Sequence, residues 1–277
     1  MAFKIQKIEQ LLSDFEGQTA IVLSLDGSVL LSLRSNLSFP SASIIKLLIS
    51  DYIMTENPEA LANKVSLINS DFGLAEDDVW WTKRKLTHFG AGILDILSGN
   101  NQTVTVAQLQ ALMLTISDNW AANALIRYFG MAEINHFASS RYTNTHLRRQ
   151  FMAQTKLDNE TTAADSLSML KNVLEHSATN YLLTRQQSQY KLPVTFIENT
   201  SAPFQELNIF NKTGEGATVD HDAMSIVFDD HQLDVALLTK TIASHRFQRL
   251  ALFNNISHVL WEEMILFWQI VKFKLNI

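Results

Sequence analysis

The chain has 277 residues and a mass of 31.3 kDa, of which 47% are hydrophobic and 18% charged. It is long enough to bury a large core, as one domain or as two packed subdomains. The net charge of −6 excludes the basic surface that a nucleic-acid binder needs, and the absence of cysteine excludes disulfides, zinc-thiolate sites and a cysteine nucleophile.

The first residues, 1–7, contain no apolar core of a signal peptide and no cleavage site. The sequence as written therefore predicts a cytoplasmic protein, or a secreted or cell-envelope protein if a leader has been removed. No window reaches the roughly 20 consecutive apolar residues of a membrane span.

The amino-terminal region predicts a helix followed by a hairpin. Residues 3–15 carry apolar side chains at helical spacing, and the apolar runs 19–25 and 28–33 flank Asp26-Gly27. Both turn residues tolerate positive φ, so this pattern is a strong hairpin signal.

Residues beyond Pro40 show mainly helical patterns. Thr105 and Gln108 form a capping box that begins a helix, a second helix is predicted over about 120–129 and stops at Gly130, and a third follows Thr161-Thr162.

Strand character returns only after about residue 204, over 207–212, 223–228 and 234–239, and the chain closes with a long helix. Strands at both ends imply that the termini meet in one antiparallel sheet. The predicted fold class is α/β (α+β), with an α/β lobe from residues 1–45 and 200–277, an all-helical lobe from residues 46–199, and a site in the cleft between them.

The first chemical motif is Ser43 with Lys46. Ser43 follows Pro40 at the start of a predicted helix, and Lys46 lies one turn later on the same face. A lysine whose ammonium form is disfavoured by burial can take the proton of a serine hydroxyl, and a helix amino terminus offers N–H groups to a developing oxyanion.

Two further triplets carry polar groups that suit the same chemistry. Ser117-Asp118-Asn119 offers a hydroxyl that can relay a proton and an amide that can hold a carbonyl. Lys212-Thr213-Gly214 ends a strand pattern and offers positive charge and a hydroxyl donor to a carboxylate. Glycine there lets a substrate backbone lie against the strand.

In this order and spacing, the three motifs resemble the serine β-lactamase and penicillin-binding-protein superfamily, and most closely class A β-lactamases. The resemblance implies a β-lactamase/transpeptidase-like fold, a serine hydrolase that opens a β-lactam or related amide or ester, and a covalent acyl-enzyme on Ser43. It also implies a role in the response of bacteria to antibiotics.

The resemblance assigns a role to each matching residue. Lys46 accepts the proton of Ser43, Ser117 passes it to the leaving nitrogen, and Lys212 tunes Ser117. Asn119 orients the substrate amide. The backbone N–H groups of Ser43 and Glu215 form the oxyanion hole.

The sequence departs from class A enzymes in the segment that should release the acyl group. Their Ω-loop glutamate, which activates the hydrolytic water, is expected about fifteen residues before Thr161-Thr162. Residues 145–153 contain no carboxylate. His146 lies near the expected position and is a candidate substitute base, with a surface or capping role as the alternative.

A second departure concerns recognition of the substrate carboxylate. Glu215 follows Lys212-Thr213-Gly214, where the family has a hydroxyl residue, and its charge repels a carboxylate if it faces the cleft rather than solvent. His221 lies where class A enzymes often have a carboxylate-binding arginine.

These departures leave alternatives open. The protein is either a hydrolase that turns over β-lactams, a D-alanyl-type peptidase or esterase, or a penicillin- or peptidoglycan-binding sensor without turnover. In each case the expected ligand is a small β-lactam or peptidoglycan-like molecule, no metal or other cofactor is expected, and the chain is expected to be a monomer. Trp80 and Trp81 either pack in the helical lobe or line the cleft mouth.

Overall fold

The structure is a computed structural model that describes residues 5–74, 92–94, 102–153, 155–199 and 203–275. Trp80 and Trp81 lie outside these residues. A five-stranded antiparallel sheet joins the two ends of the chain, with the strand order β2-β1-β9-β8-β7. Its strands are β1 (Gln18–Leu25), β2 (Ser28–Leu33), β7 (Leu207–Glu215), β8 (Val219–Phe228) and β9 (His231–Lys240).

The sheet confirms the two main strand predictions. Asp26 and Gly27 both have positive φ, +48° and +78°, and form the turn between β1 and β2. The three late strands are each longer than the apolar runs that predicted them, because their ends carry polar residues. As a result, Lys212, Thr213 and Gly214 lie inside β7, at the edge of the sheet.

Helices cover both faces of the sheet. The helix bounds are α1 (Ile5–Ser13), α2 (Lys46–Glu56), α3 (Val106–Thr115), α4 (Asn119–Phe129), α5 (Met131–Arg141), α6 (Ala163–Glu175), α7 (Asn180–Leu183), α8 (Val194–Glu198) and α9 (Arg246–Leu275). The Thr105–Gln108 capping box at the start of α3 is confirmed, with Gln108 N–H donating to Thr105 Oγ1 at 3.2 Å.

The core consists of two buried clusters, one on each face of the sheet. Terminal helices α1 and α9 pack on one face, where Ile8 and Phe253 meet Leu237. The middle segment packs on the other face, where Leu48 and Leu170 meet Ala236. Burial of these apolar faces is what fixes the helices to the sheet. The exact division of the chain into two lobes stays a prediction.

The middle segment also contains short strands that the sequence did not predict. β4 (Lys64–Ser66) pairs with β5 (Thr103–Thr105), and β3 (Phe39–Pro40) pairs with β6 (Glu160–Thr161). Two- and three-residue strands are too short to produce a visible alternation of apolar and polar residues. The β3–β6 pair joins the segment before Ser43 to the end of the loop over residues 145–160.

Within the residues that the structure describes, no helix is both long and apolar enough to cross a membrane.

Candidate active site

Ser43 and Lys46 lie where a 3₁₀ turn, Ala42–Ile45, runs into α2. Ala42 has a positive φ of +45°, a sharp bend that begins the turn immediately before Ser43. Lys46 Nζ lies 3.1 Å from Ser43 Oγ, and the lysine side chain is fully buried. The predicted nucleophile and base are therefore within hydrogen-bond reach of each other.

The other neighbours of Lys46 Nζ are acceptors that fix its orientation. Nζ donates to the carbonyl oxygen of Ser117 at 2.5 Å and to Asn119 Oδ1 at 2.7 Å. A neutral amine has two protons and one lone pair. With both protons held by these two acceptors, the lone pair is left for the Ser43 hydroxyl.

The environment of Lys46 favours this neutral amine. Burial lowers its pKa well below the usual value, and the charge of Lys212 lowers it further, while Asp118 acts in the opposite direction. Desolvation disfavours the ammonium form most strongly because no solvent reaches Nζ. Lys46 is therefore suited to act as a proton acceptor.

Ser117 lies between the two lysines. Its hydroxyl is 3.2 Å from Lys46 Nζ and 3.0 Å from Lys212 Nζ, and its own φ is +58°, an uncommon value for a residue with a side chain. Burial lowers the pKa of Lys212 to about 7, partly offset by Asp222 and Glu215. The chain Lys46–Ser117–Lys212 offers a continuous path for a proton.

Asp118 holds this loop in place, a role that the sequence analysis did not assign. Its buried carboxylate caps α4 by accepting from the N–H groups of Trp120 and Ala121, each at 2.9 Å. It also accepts from the N–H groups of Ile93 and Leu94 at 2.7 and 2.8 Å. An aspartate directly before a helical pattern is an N-cap signal, and that signal could have identified it.

Gly214 allows β7 to lie directly against the segment 41–45, which carries Ser43. A Cβ atom on Gly214 would lie 3.0 Å from the carbonyl oxygen of Ser41 and 3.1 Å from the Ile44 side chain. The glycine is therefore required by the close approach of two protein segments. That the glycine also makes room for a substrate backbone stays a prediction.

The side chains of β7 alternate between the two faces of the sheet. Lys212 points to Ser117, whereas Glu215 points to α9, where Arg246 Nη2 lies 3.0 Å from Glu215 Oε2. The Glu215 side chain thus faces away from Ser43 with its charge compensated. Thr213 is buried and its hydroxyl accepts from Gln186 Nε2 at 3.2 Å. Since an accepting hydroxyl can still donate its own proton, its role toward a ligand stays a prediction.

The prediction that His221 binds a substrate carboxylate is wrong. The His221 side chain is fully buried, with Nε2 2.7 Å from the carbonyl oxygen of Pro40 and Nδ1 accepting from the N–H of Thr239. Burial lowers its pKa to about 4, so the imidazole is neutral at physiological pH. It joins β8 to the segment before Ser43 and carries no charge for an anion.

The loop over residues 145–160 contacts Lys46 through the aromatic side chain of Phe151. The centroid of the Phe151 ring lies 4.4 Å from Lys46 Nζ. The side chain of Asn123 fixes this position from both sides, since its Oδ1 accepts from Phe151 N–H at 2.7 Å and its Nδ2 donates to Phe151 O at 3.1 Å. No local pattern signals this contact, because it joins residues that lie far apart in the chain.

Four charged residues of this loop form two ion pairs with one another. Glu160 pairs with Arg148 and Asp158 with Arg149, each at 2.7 Å. His146 is exposed, and its backbone forms a bridge with Glu160. The candidate base of the sequence analysis, His146, is therefore exposed, whereas Phe151 lies next to Lys46.

No group of three or more histidine, aspartate and glutamate residues able to hold a metal ion occurs among the described residues.

Comparison with known proteins agrees with this geometry. The sequence matches the Beta-lactamase enzyme family over residues 4–264. No curated protein is matched by the sequence.

Several solved structures share the fold. A β-lactamase from Sphaerobacter thermophilus is 19% identical with a TM-score of 0.74, over 95% of this chain and 97% of that chain. A mutant of PBP-A, in an acyl-enzyme complex with penicillin G, is 20% identical with a TM-score of 0.74, over 94% and 95%. A class A representative from Bacteroides cellulosilyticus is 16% identical with a TM-score of 0.71, over 96% and 99%.

The family match and the shared fold support a serine hydrolase of the β-lactamase kind. The chain belongs to the Beta-lactamase enzyme family. Membership implies a small-molecule substrate of the β-lactam type.

Proposed function

We propose that this protein reacts with a β-lactam, or a related amide or ester, to form a covalent acyl-enzyme on Ser43 that it releases slowly. The single observation that carries this proposal is the position of Lys46 Nζ, 3.1 Å from Ser43 Oγ on one side and 4.4 Å from the Phe151 ring centroid on the other.

The acylation step has a group for each requirement. The neutral Lys46 amine takes the Ser43 proton as Oγ attacks the carbonyl carbon, and the N–H groups of Ser43 and Glu215 receive the oxyanion. When the carbon–nitrogen bond breaks, Ser117 donates its hydroxyl proton to the leaving nitrogen and regains a proton from Lys46. The Lys46 amine lies 3.1 Å from the Ser43 hydroxyl and 3.2 Å from the Ser117 hydroxyl, within reach of both transfers.

Among the described residues of the 145–160 loop, hydrolysis of the acyl-enzyme has no base comparable to Lys46 in the acylation step. Hydrolysis requires a base within about 3 Å of the attacking water. The Phe151 ring, whose centroid lies 4.4 Å from Lys46 Nζ, has no lone pair to accept a proton. Two carboxylates of this loop, Asp158 and Glu160, are held by arginines. These contacts support accumulation of the acyl-enzyme.

Recognition of a substrate carboxylate then falls to Lys212. His221 is neutral and buried, and Glu215 faces α9. Lys212 lies at the same end of β7 as Glu215 N–H and is hydrogen-bonded to Ser117. An anionic ligand that meets Lys212 stabilises its ammonium form by simple attraction of opposite charges.

The test is incubation with a fluorescent penicillin, followed by mass spectrometry of the intact chain over time. We expect one adduct, located on Ser43 by peptide mapping, that persists long after unbound penicillin is removed. A Ser43→Ala variant is the control and should form none. Rapid hydrolysis of nitrocefin without a lasting adduct would show a turnover enzyme and reject slow release, and absence of any adduct with penicillins and activated esters rejects acylation itself.

A further inference from the structure

A third buried lysine, Lys191, lies on the face of β7 opposite Ser43. Its side chain is fully buried beside the ring of Phe253, and it forms an ion pair with Asp220 at 3.1 Å. Its Nζ also donates to two backbone carbonyls, those of Gly214 at 3.1 Å and His221 at 3.3 Å. These two residues are paired across β7 and β8.

The Gly214 carbonyl belongs to the peptide unit whose other end is the Glu215 N–H. A trans peptide is planar, and its C=O and N–H point in opposite directions. Lys191 holds the C=O, so the N–H is directed away from Lys191. The segment 41–45, which carries Ser43, packs against Gly214 from the other side. The carbonyl oxygen of Ser41 is only 3.0 Å from where a Cβ atom on Gly214 would lie.

We infer that Lys191 is a positioning residue for acylation, one that orients and polarises the Gly214–Glu215 peptide so that its N–H is a stronger oxyanion donor. This inference rests on the proposed function. A cation bound to an amide oxygen draws electron density from nitrogen, which makes the N–H more positive, and bound amides polarise one another in the same way within the protein. Lys191 acts through this peptide and does not touch the substrate.

Neutralising Asp220 is not sufficient reason for a buried lysine here. Arg249 Nε already contacts Asp220 Oδ2 at 2.7 Å, and Arg249 is also fully buried. A buried ammonium is costly unless it is paired and hydrogen-bonded. Besides Asp220, the contacts that offset this cost for Lys191 are the backbone carbonyls of Gly214 and His221, in the strand pair next to the oxyanion position, and the Glu215 carboxylate at the longer distance of 3.8 Å.

The main experiment compares the acyl-enzymes of the unmodified protein and of Lys191→Met. Penicillin labelled with ¹³C at the reacting carbonyl gives an ester whose stretching frequency falls as oxyanion donors polarise it. We expect Lys191→Met to raise this frequency and to slow acylation by about tenfold, less than the loss of a whole oxyanion donor, about 10²- to 10³-fold. The dissociation constant of the non-covalent complex should change little.

Arg246→Met is the matched control. It removes the positive charge that pairs with Glu215, on the same face of the sheet as Lys191. The Lys191–Gly214 contact stays in place. We expect its acyl-enzyme frequency and acylation rate to match those of the unmodified protein. An equal change in both variants would mean that Lys191 acts only through the general charge of this region, and would overturn the inference.

A measurement on the unmodified protein makes the inference independent of whether the variant folds. Gly214–Glu215 is the one Gly-Glu pair in the sequence, so ¹³C-glycine and ¹⁵N-glutamate labelling gives a single carbonyl-to-amide NMR signal. We expect this carbonyl to lie downfield of ordinary strand glycines. An ordinary shift, or an unchanged ester frequency in Lys191→Met, contradicts the inference, whereas failure of the unmodified protein to form an adduct contradicts the proposed function instead.

Discussion

The two sides of Lys46 differ in chemistry. On one side its Nζ meets the hydroxyl of Ser43, the carbonyl of Ser117 and the amide of Asn119, all at 3.1 Å or less. On the other side it meets the ring of Phe151. Under the proposed function, the polar side supplies proton transfer for attack, and the aromatic side offers none for water. Acylation and release would then depend on separate segments, so that one can be present without the other.

The largest expected effect comes from removing the base on the polar side. Lys46→Met should slow acylation of Ser43 by about 10²- to 10⁴-fold, because general-base catalysis is lost while the cleft keeps its shape. Stopped-flow fluorescence with a labelled penicillin measures the rate. Lys64→Met, an exposed lysine on β4, is the control and should leave it unchanged. A rate for Lys46→Met that stays within about tenfold of normal would assign the base to another group.

The next largest effect tests whether Asp118 holds the loop that carries Ser117 and Asn119. In Asp118→Asn, an NH₂ group would face two backbone N–H donors in place of a carboxylate oxygen. We expect the free energy of unfolding to fall by about 3 kcal/mol, as for lost hydrogen bonds to a buried charge. Chemical denaturation measures this.

Asp158→Asn provides the control for that variant. This carboxylate is 47% exposed and pairs with Arg149 on the surface, where such a pair contributes up to about 1 kcal/mol. If both variants lose the same stability, the backbone contacts of Asp118 do not explain its burial.

Replacing Phe151 should convert a protein that retains the acyl group on Ser43 into one that hydrolyses it. Phe151→Glu places a carboxylate in reach of Lys46, and we expect hydrolysis of the acyl-enzyme to accelerate by about ten- to a hundredfold, below the full gain of an optimised base. Mass spectrometry of the adduct over time gives the rate. Phe151→Leu, which stays apolar, should change it little. Equal acceleration in both variants would mean that the ring acts by bulk alone.

The smallest expected effect is a pH dependence of acylation, caused by loss of the positive charge of Lys212 as the pH rises. The lowered Lys212 pKa of about 7 means that its ammonium form disappears as the pH rises through neutrality. Acylation by an anionic penicillin, relative to a neutral p-nitrophenyl ester, should therefore fall by about tenfold from about pH 6 to about pH 8. The ratio cancels the titration of Lys46, which affects both substrates. A ratio that is constant with pH would show that Lys212 does not bind the carboxylate.

The sequence predicted those parts of the fold and site in which neighbours along the chain act together. Asp26-Gly27 determines its turn by its own backbone preferences, and Thr105 with Gln108 caps α3 within one helical turn. Ser43 and Lys46 are one turn apart, so their proximity follows from local geometry.

Prediction from sequence failed for side chains whose direction depends on strand register and on packing between distant segments. His221 was assigned to the substrate carboxylate, whereas Glu215 was assigned to the oxyanion hole by its backbone N–H, with the direction of its side chain left open. Pairing of β7 with β8 turns Glu215 toward α9, and it places His221 beneath Pro40 with both ring nitrogens engaged. A shift of one residue in a strand reverses the face of every side chain, and motif order does not carry that information.

By itself, then, the sequence determined the proximity of Ser43 and Lys46, the order of the polar motifs and the antiparallel sheet that joins the chain ends, since these follow from periodicity and short spacing. Only the tertiary structure decided which side chain faces Lys46 from the 145–160 loop, and which lysine lies behind the Gly214 carbonyl. Phe151 and Lys191 reach their partners through contacts between distant segments. Such contacts depend on packing and register, which no local pattern encodes.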